Sequence, residues 1–510
     1  MSDKVIRITS QQGFSASWLN DAKPSGLNLL DFTIPRGMNI NMEKSYIAIN
    51  AQIDNDSGHP VNASFYLDVD NDEKYNIPTT ALIRNCSISN DKGQVESIRR
   101  VDTLSCGLFG LTDEAEERQG NLNTFAQYEG GRGVGNNTSF MLDCVTNNTA
   151  PDGTTINAEH TSRNIARDIK VPLKELFGVC NETAYSTDIW GETRIHCETN
   201  FVKGAGAGLK SRQLGGAEDT STMFDGAEKY GTMGAQIGIA DGATNAPLQS
   251  TGTYGDWENV MPFFVGQQIQ MNADAGATPL SVVAEITSIK YQGDNTATPP
   301  TNQGKVFITT NPVLFTNGTG SPVSLSNIVI KSKIDAAVLT NIVNRAELVL
   351  TLTDDEPAEE ITFNTFTSEE DNGNSLTSFN RNYLCEPQAN AFLLASVKNG
   401  EILPNRTCES YRYAVDNEEM TGNRDVEFNS PLQYDRLQRC LDRQVGLSFK
   451  SAQQAFYRNS EIQADAMEVP VVMICETLHE TEGNKTVSLE IDCAAGLEQI
   501  ILYKNMEKTI

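Results

Sequence analysis

The sequence is poor in the residues on which zinc enzymes and nucleic-acid-binding proteins depend. Its 510 residues include four histidines and three tryptophans, and 67 acidic residues outnumber 39 basic ones. The resulting formal net charge of -28 argues against a surface that neutralises phosphate, because such surfaces need clustered Lys and Arg. It also argues against docking on anionic membranes. Self-association of so acidic a chain must therefore depend on specific apolar and hydrogen-bonded contacts.

Long apolar runs are also missing. No stretch of the sequence approaches the length of about 18 apolar residues that a membrane-spanning helix needs, so no transmembrane segment is predicted. The first 18 residues, MSDKVIRITSQQGFSASW, lack the apolar core of a secretory signal. We therefore expect the chain to be made and folded in the cytosol or an equivalent space.

Paired metal ligands and catalytic motifs are absent from the sequence. The ten cysteines are scattered without a CxxC pair, and none of the four histidines belongs to an HExxH pattern. This spacing predicts buried free thiols, and it predicts that His196 is a strand-face residue. A GxSxG nucleophile motif and a phosphate-binding loop are missing as well. No catalytic residue is assigned, and the chain is predicted not to be an enzyme.

One acidic turn has the spacing of a calcium loop. Asp68, Asp70 and Asp72 alternate in LDVDNDEKY, and carboxylates at this spacing can wrap a hard cation. The sixth loop position is Glu73 instead of Gly, and the twelfth is Thr79 instead of an acid. An exposed acidic turn is the alternative. If calcium binds there, its role is structural, and no other cofactor is predicted.

The dominant pattern that is present consists of short β-branched and apolar runs separated by Gly, Asn, Asp and Pro, which predicts an all-β fold of the sandwich or barrel type. Helical spacing is clear only at Leu104–Glu117 and at Pro431–Val445. The predicted strands are Ser45–Ile53, Gln94–Val101, Ile169–Leu173, Thr193–Phe201, Glu347–Thr353, Ala391–Val397, Pro470–Glu476 and Thr486–Ile491.

Two stretches divide the chain. Gly204–Gly216 is a Gly-rich linker, and Thr367–Thr377 is a polar, acidic segment predicted to be a loop. Between the linker and Asn344, the runs PFFVGQQIQM, SVVAEITSIKY and KVFITTNPVLF predict a small inserted β-barrel-like domain. The predicted domains are residues 1–205, the linker with its insert at 206–343, and residues 344–510.

Two pairs of segments repeat at an offset of roughly 300 residues, the spacing that a tandem duplication with an insertion leaves. Ser45–Asp56 and Ala346–Pro357 are both apolar strands that run into acidic turns. Ile169–Leu173 and Met467–Val471 both carry a Val-Pro pair beside an apolar strand. The repeats suggest that the units before and after the insert are related, although chance matches remain an alternative.

Four stretches in order resemble the double jelly-roll major capsid proteins of Polinton-like viruses, virophages and their relatives. Leu27–Ile53 is similar to the opening of the first roll, and Ile169–Cys180 with Ile189–Phe201 to its end. Asn344–Leu352 resembles an early strand of the second roll, and Ser430–Lys450 resembles its helix.

The resemblance implies a tandem jelly-roll sandwich that assembles into a pseudo-hexagonal homotrimer and tiles the icosahedral shell of a DNA virus. The implied partners are the chain itself, neighbouring capsomers, and penton and minor capsid proteins. Direct sequence-specific nucleic-acid binding is not expected, and the implied location is the virion capsid, assembled inside the host cell. The segment around Pro35, the IKVPLKELFG stretch and the Pro431 helix are the candidate contact elements.

Two other classes of protein remain as alternatives. A carbohydrate-binding or adhesive β-sandwich, such as a fibre or spike, would need aromatic platforms for sugars, yet Trp18, Trp190 and Trp257 are isolated in the sequence. A glycosidase would need two carboxylates that face each other across a cleft. The acidic run from Asp354 to Glu360 is predicted to be a solvated loop instead.

Overall fold

The structure of the chain is a computed structural model. It describes residues 4–11, 29–55, 61–67, 77–109, 124–125, 139–142, 148–149, 155–156, 165–200, 209–213, 236–240, 268–275, 278–294, 301–311, 326–331, 339–398, 401–402, 404, 408–422, 424–428, 430–445, 447, 473–479 and 481–510.

Strands make up most of the described chain. Those before residue 200 are β1 (Val5–Thr9), β2 (Leu29–Ile34), β3 (Asn39–Asn55), β4 (Val61–Leu67), β5 (Ile77–Pro78), β6 (Ile83–Asn90), β7 (Gly93–Arg99), β8 (Thr124–Phe125), β9 (Ser139–Leu142), β10 (Asn148–Thr149), β11 (Thr155–Ile156), β12 (Ile165–Pro172), β13 (Tyr185–Ser186) and β14 (Thr193–Thr199). Those of the middle region are β15 (Leu209–Gln213), β16 (Gln236–Ala240), β17 (Gln268–Ala275), β18 (Thr278–Asp294), β19 (Thr301–Asn311) and β20 (Ser326–Lys331). The last are β21 (Leu339–Leu352), β22 (Thr362–Cys385), β23 (Ala389–Val397), β24 (Cys408–Val415), β25 (Glu418–Glu419), β26 (Val426–Glu427), β27 (Met473–Thr477) and β28 (Lys485–Thr509).

Three α-helices are described: α1 (Val101–Phe109), α2 (Thr187–Trp190) and α3 (Pro431–Gln438). Helix α3 begins as predicted, with Pro431 in its first turn and the Ser430 hydroxyl accepting a hydrogen bond from the Gln433 amide. It continues as a π-helical turn over Arg439–Val445. Single 3-10 turns occupy Thr79–Leu82, Leu173–Glu175 and Gly178–Asn181.

The part of the chain from β1 to β21 contains a jelly roll. In that topology, eight strands taken in chain order form two sheets, with orders 1-8-3-6 and 2-7-4-5. The first sheet here has the order β1-β21-β3-β12 and the second has the order β2-β14-β6-β7, which is the same arrangement. Residues alternate between core and surface along β2 and β14, as half-buried strands require. Residues of both sheets meet in one apolar core, which includes Phe32, Ile49 and Ile195.

The strand at 344–352 corrects the sequence-based division of the chain. Strand β21 was expected to begin the second roll, but it lies between β1 and β3 as the eighth strand of the first roll. The insert therefore interrupts the first roll, and the boundary predicted at residue 344 is wrong. The repeat of Ser45–Asp56 with Ala346–Pro357 also fails, because these strands are antiparallel neighbours in one sheet.

The C-terminal part forms a second jelly roll from two long, bent strands. Residues 362–372 of β22 pair with residues 499–509 of β28, and beyond the bend residues 378–385 pair with 485–492. With each long strand counted as two, the sheets have the orders β22-β28-β23-β27 and β22-β28-β24-β26, again 1-8-3-6 and 2-7-4-5. The segment at 367–377 is therefore mostly strand, and the loop predicted there is confined to the bend, where Asn374 and Ser375 have positive φ.

The insert has its own sheet. Strands β17, β18 and β19 fall on the three predicted runs and pair in the order β17-β18-β19, joined by β16, β20, β10 and β11. Part of the predicted Gly-rich linker is also a strand, since β15 pairs with β4. The all-β fold with two jelly rolls and few short helices is confirmed.

Candidate functional site

The junction between the two rolls combines buried apolar contacts with buried hydrogen bonds. Helix α1 follows β7 of the first roll, and its Leu104 and Leu108 pack on the outer face of the second roll. That face presents Leu393, Ile501 and Tyr503. The π-helical turn after α3 covers the same face with its own apolar residues. One sheet of the second roll is thereby buried on both sides.

Arg100 connects the rolls by hydrogen bonds. Its guanidinium is 3% exposed and donates to Asp102 Oδ1 at 3.2 Å, to the Thr103 hydroxyl at 2.8 Å and to the carbonyl of Glu401 at 2.7 Å. The Tyr503 hydroxyl donates to the Arg100 carbonyl at 2.7 Å. Arg100 has a φ of 55°, an uncommon conformation for a residue with a side chain, so this contact is maintained against backbone strain.

Asp102 is the anion that balances Arg100. Its other oxygen, Oδ2, accepts a hydrogen bond from Asn200 Nδ2 at 3.0 Å, and the same nitrogen donates to the Ala81 carbonyl at 2.9 Å. Complete burial raises the pKa of Asp102, against the opposing effect of the Arg100 charge. Buried ion pairs of this kind are costly to break, because removal of one partner leaves the other charge unpaired.

Glu96 anchors the segment that follows β12. Its carboxylate accepts hydrogen bonds from the backbone amides of Gly178, at 3.0 Å, and Val179, at 2.8 Å. Its burial raises its pKa, although the Thr365 hydroxyl and the two amides oppose the rise. Glu96 thus joins β7, the 178–181 turn and β22.

Gly178 lies at a close approach between the two rolls. A Cβ at this position would overlap the backbone carbonyl of Asn364 in β22 and contact the ring of Phe363. Only glycine allows this approach of the 178–181 turn to the second roll. Two further bonds support the same edge: Ser368 Oγ donates to the Arg99 carbonyl at 3.0 Å, and Lys508 Nζ donates to the Val95 carbonyl at 3.2 Å.

A cleft of about 400 Å³ lies beside this junction. Its walls come from α1, from the 174–181 segment and from the start of β22, and they include Leu108, Phe177 and Phe366. The cleft lies between α1 and the 174–181 segment, which both belong to the first roll. Its floor is the start of β22, the first strand of the second roll.

We predict a pH-dependent contribution from Glu96. A carboxylate whose pKa is raised by folding binds more protons in the folded chain, so stability falls as the pH rises from the ordinary glutamate value through the raised one. Glu96→Gln is expected to remove this part of the slope when the free energy of unfolding is measured by urea titration across that range. The exposed Glu356→Gln is the control, expected to keep the wild-type slope, and an unchanged slope in Glu96→Gln would contradict the assignment.

The predicted contact elements have different positions. In the IKVPLKELFG stretch, Leu173, Leu176 and Phe177 are buried in the first roll, and Gly178 meets the second, so this stretch joins the rolls within one chain. The turn at Pro35 is exposed between β2 and β3. Helix α3 packs on β27, where Arg436 donates to Glu476 at 2.8 Å.

Other predicted residues can also be located. Asp68, Asp70 and Asp72 lie outside the described residues, so the calcium site stays a prediction; among the described ranges, no cluster of three His, Cys, Asp or Glu side chains could hold a metal. His196 is a strand-face residue, as predicted, and pairs across the sheet with Asp31. The acids from Asp354 to Glu360 are exposed, as predicted.

The aromatic and cysteine predictions bear on the alternatives. Trp190 is 2% exposed and stacks on Tyr185 inside the first core, which leaves it no face for a sugar ring. Trp18 and Trp257 lie outside the described residues. Eight of the nine described cysteines are buried, and Cys408 is half-buried.

Sequence reasoning missed Arg100, Asp102, Glu96 and Gly178 as junction residues. Glu96 and Arg100 lie within a predicted strand and Asp102 directly follows it, and charged residues at such positions carry no local signal that they will be buried. Gly178 alone had a signal, because it falls inside the LFG part of the segment that resembles the capsid family.

Comparison with known proteins gives matches among solved structures alone. No family model matches the sequence, and neither does any curated protein. The capsid of PBCV-1 virus is 8% identical over 100% of this chain and 94% of that chain, with a TM-score of 0.39. PBCV-1 VP54 fitted into a reconstruction of the virophage Sputnik is 8% identical with the same coverage and a TM-score of 0.38. The STIV MCP is 8% identical over 99% of this chain and 96% of that chain, with a TM-score of 0.31.

We base the double jelly-roll assignment on the strand order, because these TM-scores and sequence identities are too low to support an assignment. Within the described ranges, no helix has the length and apolar character needed to cross a bilayer.

Proposed function

We propose that the chain is a major capsid protein that assembles into a pseudo-hexagonal homotrimer and tiles the icosahedral shell of a DNA virus of the Polinton-like or virophage type. The observation that carries the proposal is that one chain contains two jelly rolls of identical strand order, joined by a buried junction. Three copies of two similar units around a three-fold axis present six similar units, which is the outline a hexagonal lattice requires.

The physical properties of the fold suit a shell subunit. Jelly rolls are one of the all-β architectures that protect strand edges, which limits uncontrolled edge-to-edge association while subunits accumulate. Cyclic trimers have interfaces that close, so assembly stops at a defined tile. The junction built from Arg100, Asp102 and Glu96 fixes one roll against the other, and a tile made from both rolls needs that fixed geometry.

The proposed partners follow from this role. They are other copies of the chain, then neighbouring capsomers, penton proteins and minor capsid proteins, in a virion capsid assembled inside the host cell. The formal net charge of -28 disfavours direct packing of nucleic acid. The chain is proposed to have no catalytic activity, because each of the buried carboxylates at the junction is engaged in structural hydrogen bonds.

Size-exclusion chromatography with light scattering, followed by negative-stain imaging, tests the proposal. The expected result is a particle of three times the 55.7 kDa chain mass, compact and hexagonal in outline. Monomers would contradict it. Elongated rods that bind glycans would favour an adhesive fibre or spike, and hydrolysis abolished by one carboxylate substitution would favour a glycosidase. Tight DNA binding by the trimers at about 0.15 M salt would overturn the proposed lack of genome contact.

A further inference from the structure

Two thiols face each other on neighbouring strands of the second roll. Cys408 is the first residue of β24, and it lies directly opposite Cys493 of β28 in the antiparallel register. Their sulfur atoms are 3.7 Å apart, which is a non-bonded contact between thiols. In regular antiparallel pairing, directly opposite residues have Cα atoms about 4.5–5.5 Å apart, within the range that a disulfide spans, and here a β-bulge separates the pair from the next one, Ser410 with Asp492. Little movement of the backbone is therefore needed to join them.

The surroundings of this pair favour reaction. Cys408 is the one described cysteine that is half-buried instead of buried, so it is the more accessible residue of the pair. The hydrogen bond between the two sulfurs lowers the pKa of Cys493, so the pair forms its first thiolate more readily, and transfer of the shared proton places that charge on Cys408. The bend of β28 follows a few residues after Cys493, and β24 begins at Cys408, so a bond here would join two strands beside that bend.

A second pair in the first roll provides a comparison within the same molecule. Cys86 of β6 and Cys197 of β14 are also directly opposite each other. Both are buried in the core, at 3% and 0% exposure, and burial raises the pKa of both thiols. Register alone therefore does not distinguish the two pairs, whereas access and thiolate formation do.

We propose that Cys408 and Cys493 are a modification site at which a low-molecular-weight disulfide, such as oxidised glutathione, introduces an intrachain disulfide. The Cys408 thiolate attacks one sulfur of the reagent, the reagent disulfide breaks, and one reagent thiolate leaves. The Cys493 thiolate then attacks the Cys408 sulfur of the mixed disulfide and releases the second reagent thiolate. Two cysteine thiols are oxidised to one disulfide, one reagent disulfide is reduced to two thiols, and the two cysteine protons pass to the leaving thiolates.

The bond would strengthen the second roll when the surroundings become oxidising. It joins residues 85 positions apart, so it restricts the unfolded chain strongly. For a shell protein, a consequence that rests on the proposed function, the bond would form after the particle leaves the reducing interior of a cell. The chemistry itself does not depend on trimer formation, so the two proposals fail separately.

The test treats the purified full chain with oxidised glutathione, alkylates the remaining thiols under denaturing conditions, and maps peptides by mass spectrometry. We expect a Cys408–Cys493 linked peptide, and an oxidised Tm about 5 °C or more above the reduced Tm, reversed by dithiothreitol. Cys408→Ser should abolish the Tm shift. Cys86→Ser is the matched control and should keep both the linked peptide and the shift.

Recovery of Cys408 and Cys493 as separately alkylated peptides, or of a stable mixed disulfide at Cys408, would overturn the proposal. Linkage of Cys86 to Cys197 under the same conditions would show that strand register alone decides reactivity, and it would overturn the argument from access. If Cys408→Ser does not fold, the peptide map of the wild-type chain decides the question alone.

Discussion

Replacing Arg100 by leucine is expected to lower the free energy of unfolding by about 3–5 kcal/mol. The substitution leaves the Asp102 carboxylate buried without its cation, and it removes the donors to Thr103 and to the Glu401 carbonyl. Because the latter bond joins the two rolls, the proposed trimer should also make up a smaller fraction of this variant in light scattering. Urea titration, followed by fluorescence and circular dichroism, measures the loss of stability.

Two further variants distinguish the effect of a buried charge on stability from the effect of losing any arginine. Arg36 pairs with Asp91 on the surface, with side chains 70% and 42% exposed, so Arg36→Leu should cost less than about 1 kcal/mol. The double substitution Arg100→Leu with Asp102→Leu removes both charges and is expected to recover part of the stability. Equal costs for Arg100→Leu and Arg36→Leu would show that the buried pair does not stabilise the junction.

Much of the fold could be predicted because half-buried strands show a local alternation of apolar and polar residues in the sequence. All eight predicted strands overlap observed ones, and Ser45–Ile53 and Ala391–Val397 lie entirely within β3 and β23. Helix α3 was also predictable, because Pro431 and the Ser430 cap are local signals. These features depend on residues a few positions apart, which a sequence displays directly.

The partners of the strands were not predictable in the same way. Strand β21 pairs with β3 across almost 300 residues, and its apolar alternation would fit either roll equally well. The polar composition of residues 367–377 predicts a loop, yet the segment continues a strand at the edge of its sheet, where polar residues face solvent. Sequence composition reports exposure there, and exposure does not distinguish an edge strand from a loop.

The junction was hidden for a related reason. In the sequence, these residues look like charged surface residues: Arg100, Asp102 and Glu96. Their burial depends on contacts with residues about 80 to 400 positions away, such as Gly178 and Tyr503. A charge is buried where tertiary contacts complete its hydrogen bonds, and no local pattern encodes that completion. The resemblance to capsid proteins includes the 169–180 segment, but it does not predict that this segment contacts the second roll.

Gly178→Ala is expected to cost about 3 kcal/mol, at the upper end of the range for overpacking, because the obstacle is a backbone carbonyl that cannot rotate away. The added methyl group would meet the Asn364 carbonyl and force the 178–181 turn away from β22. The amides of Gly178 and Val179 would then lose their alignment with the Glu96 carboxylate. Hydrogen exchange should accelerate at residues 177–181 and 362–366, while the core strands at 30–34 and 487–491 stay protected.

Gly483→Ala is the matched control, since a methyl group there meets no atom within 4 Å, and its effect should stay within about 0.5 kcal/mol. Equal stability and equal exchange in the two variants would mean that the rolls shift apart without resistance.

A six-fold outline formed by three chains requires a fixed relation between the rolls, because any variation at the junction changes all six positions together. A junction that yields to a single methyl group without cost could not supply that relation, and contacts between chains in the proposed trimer would then have to impose it.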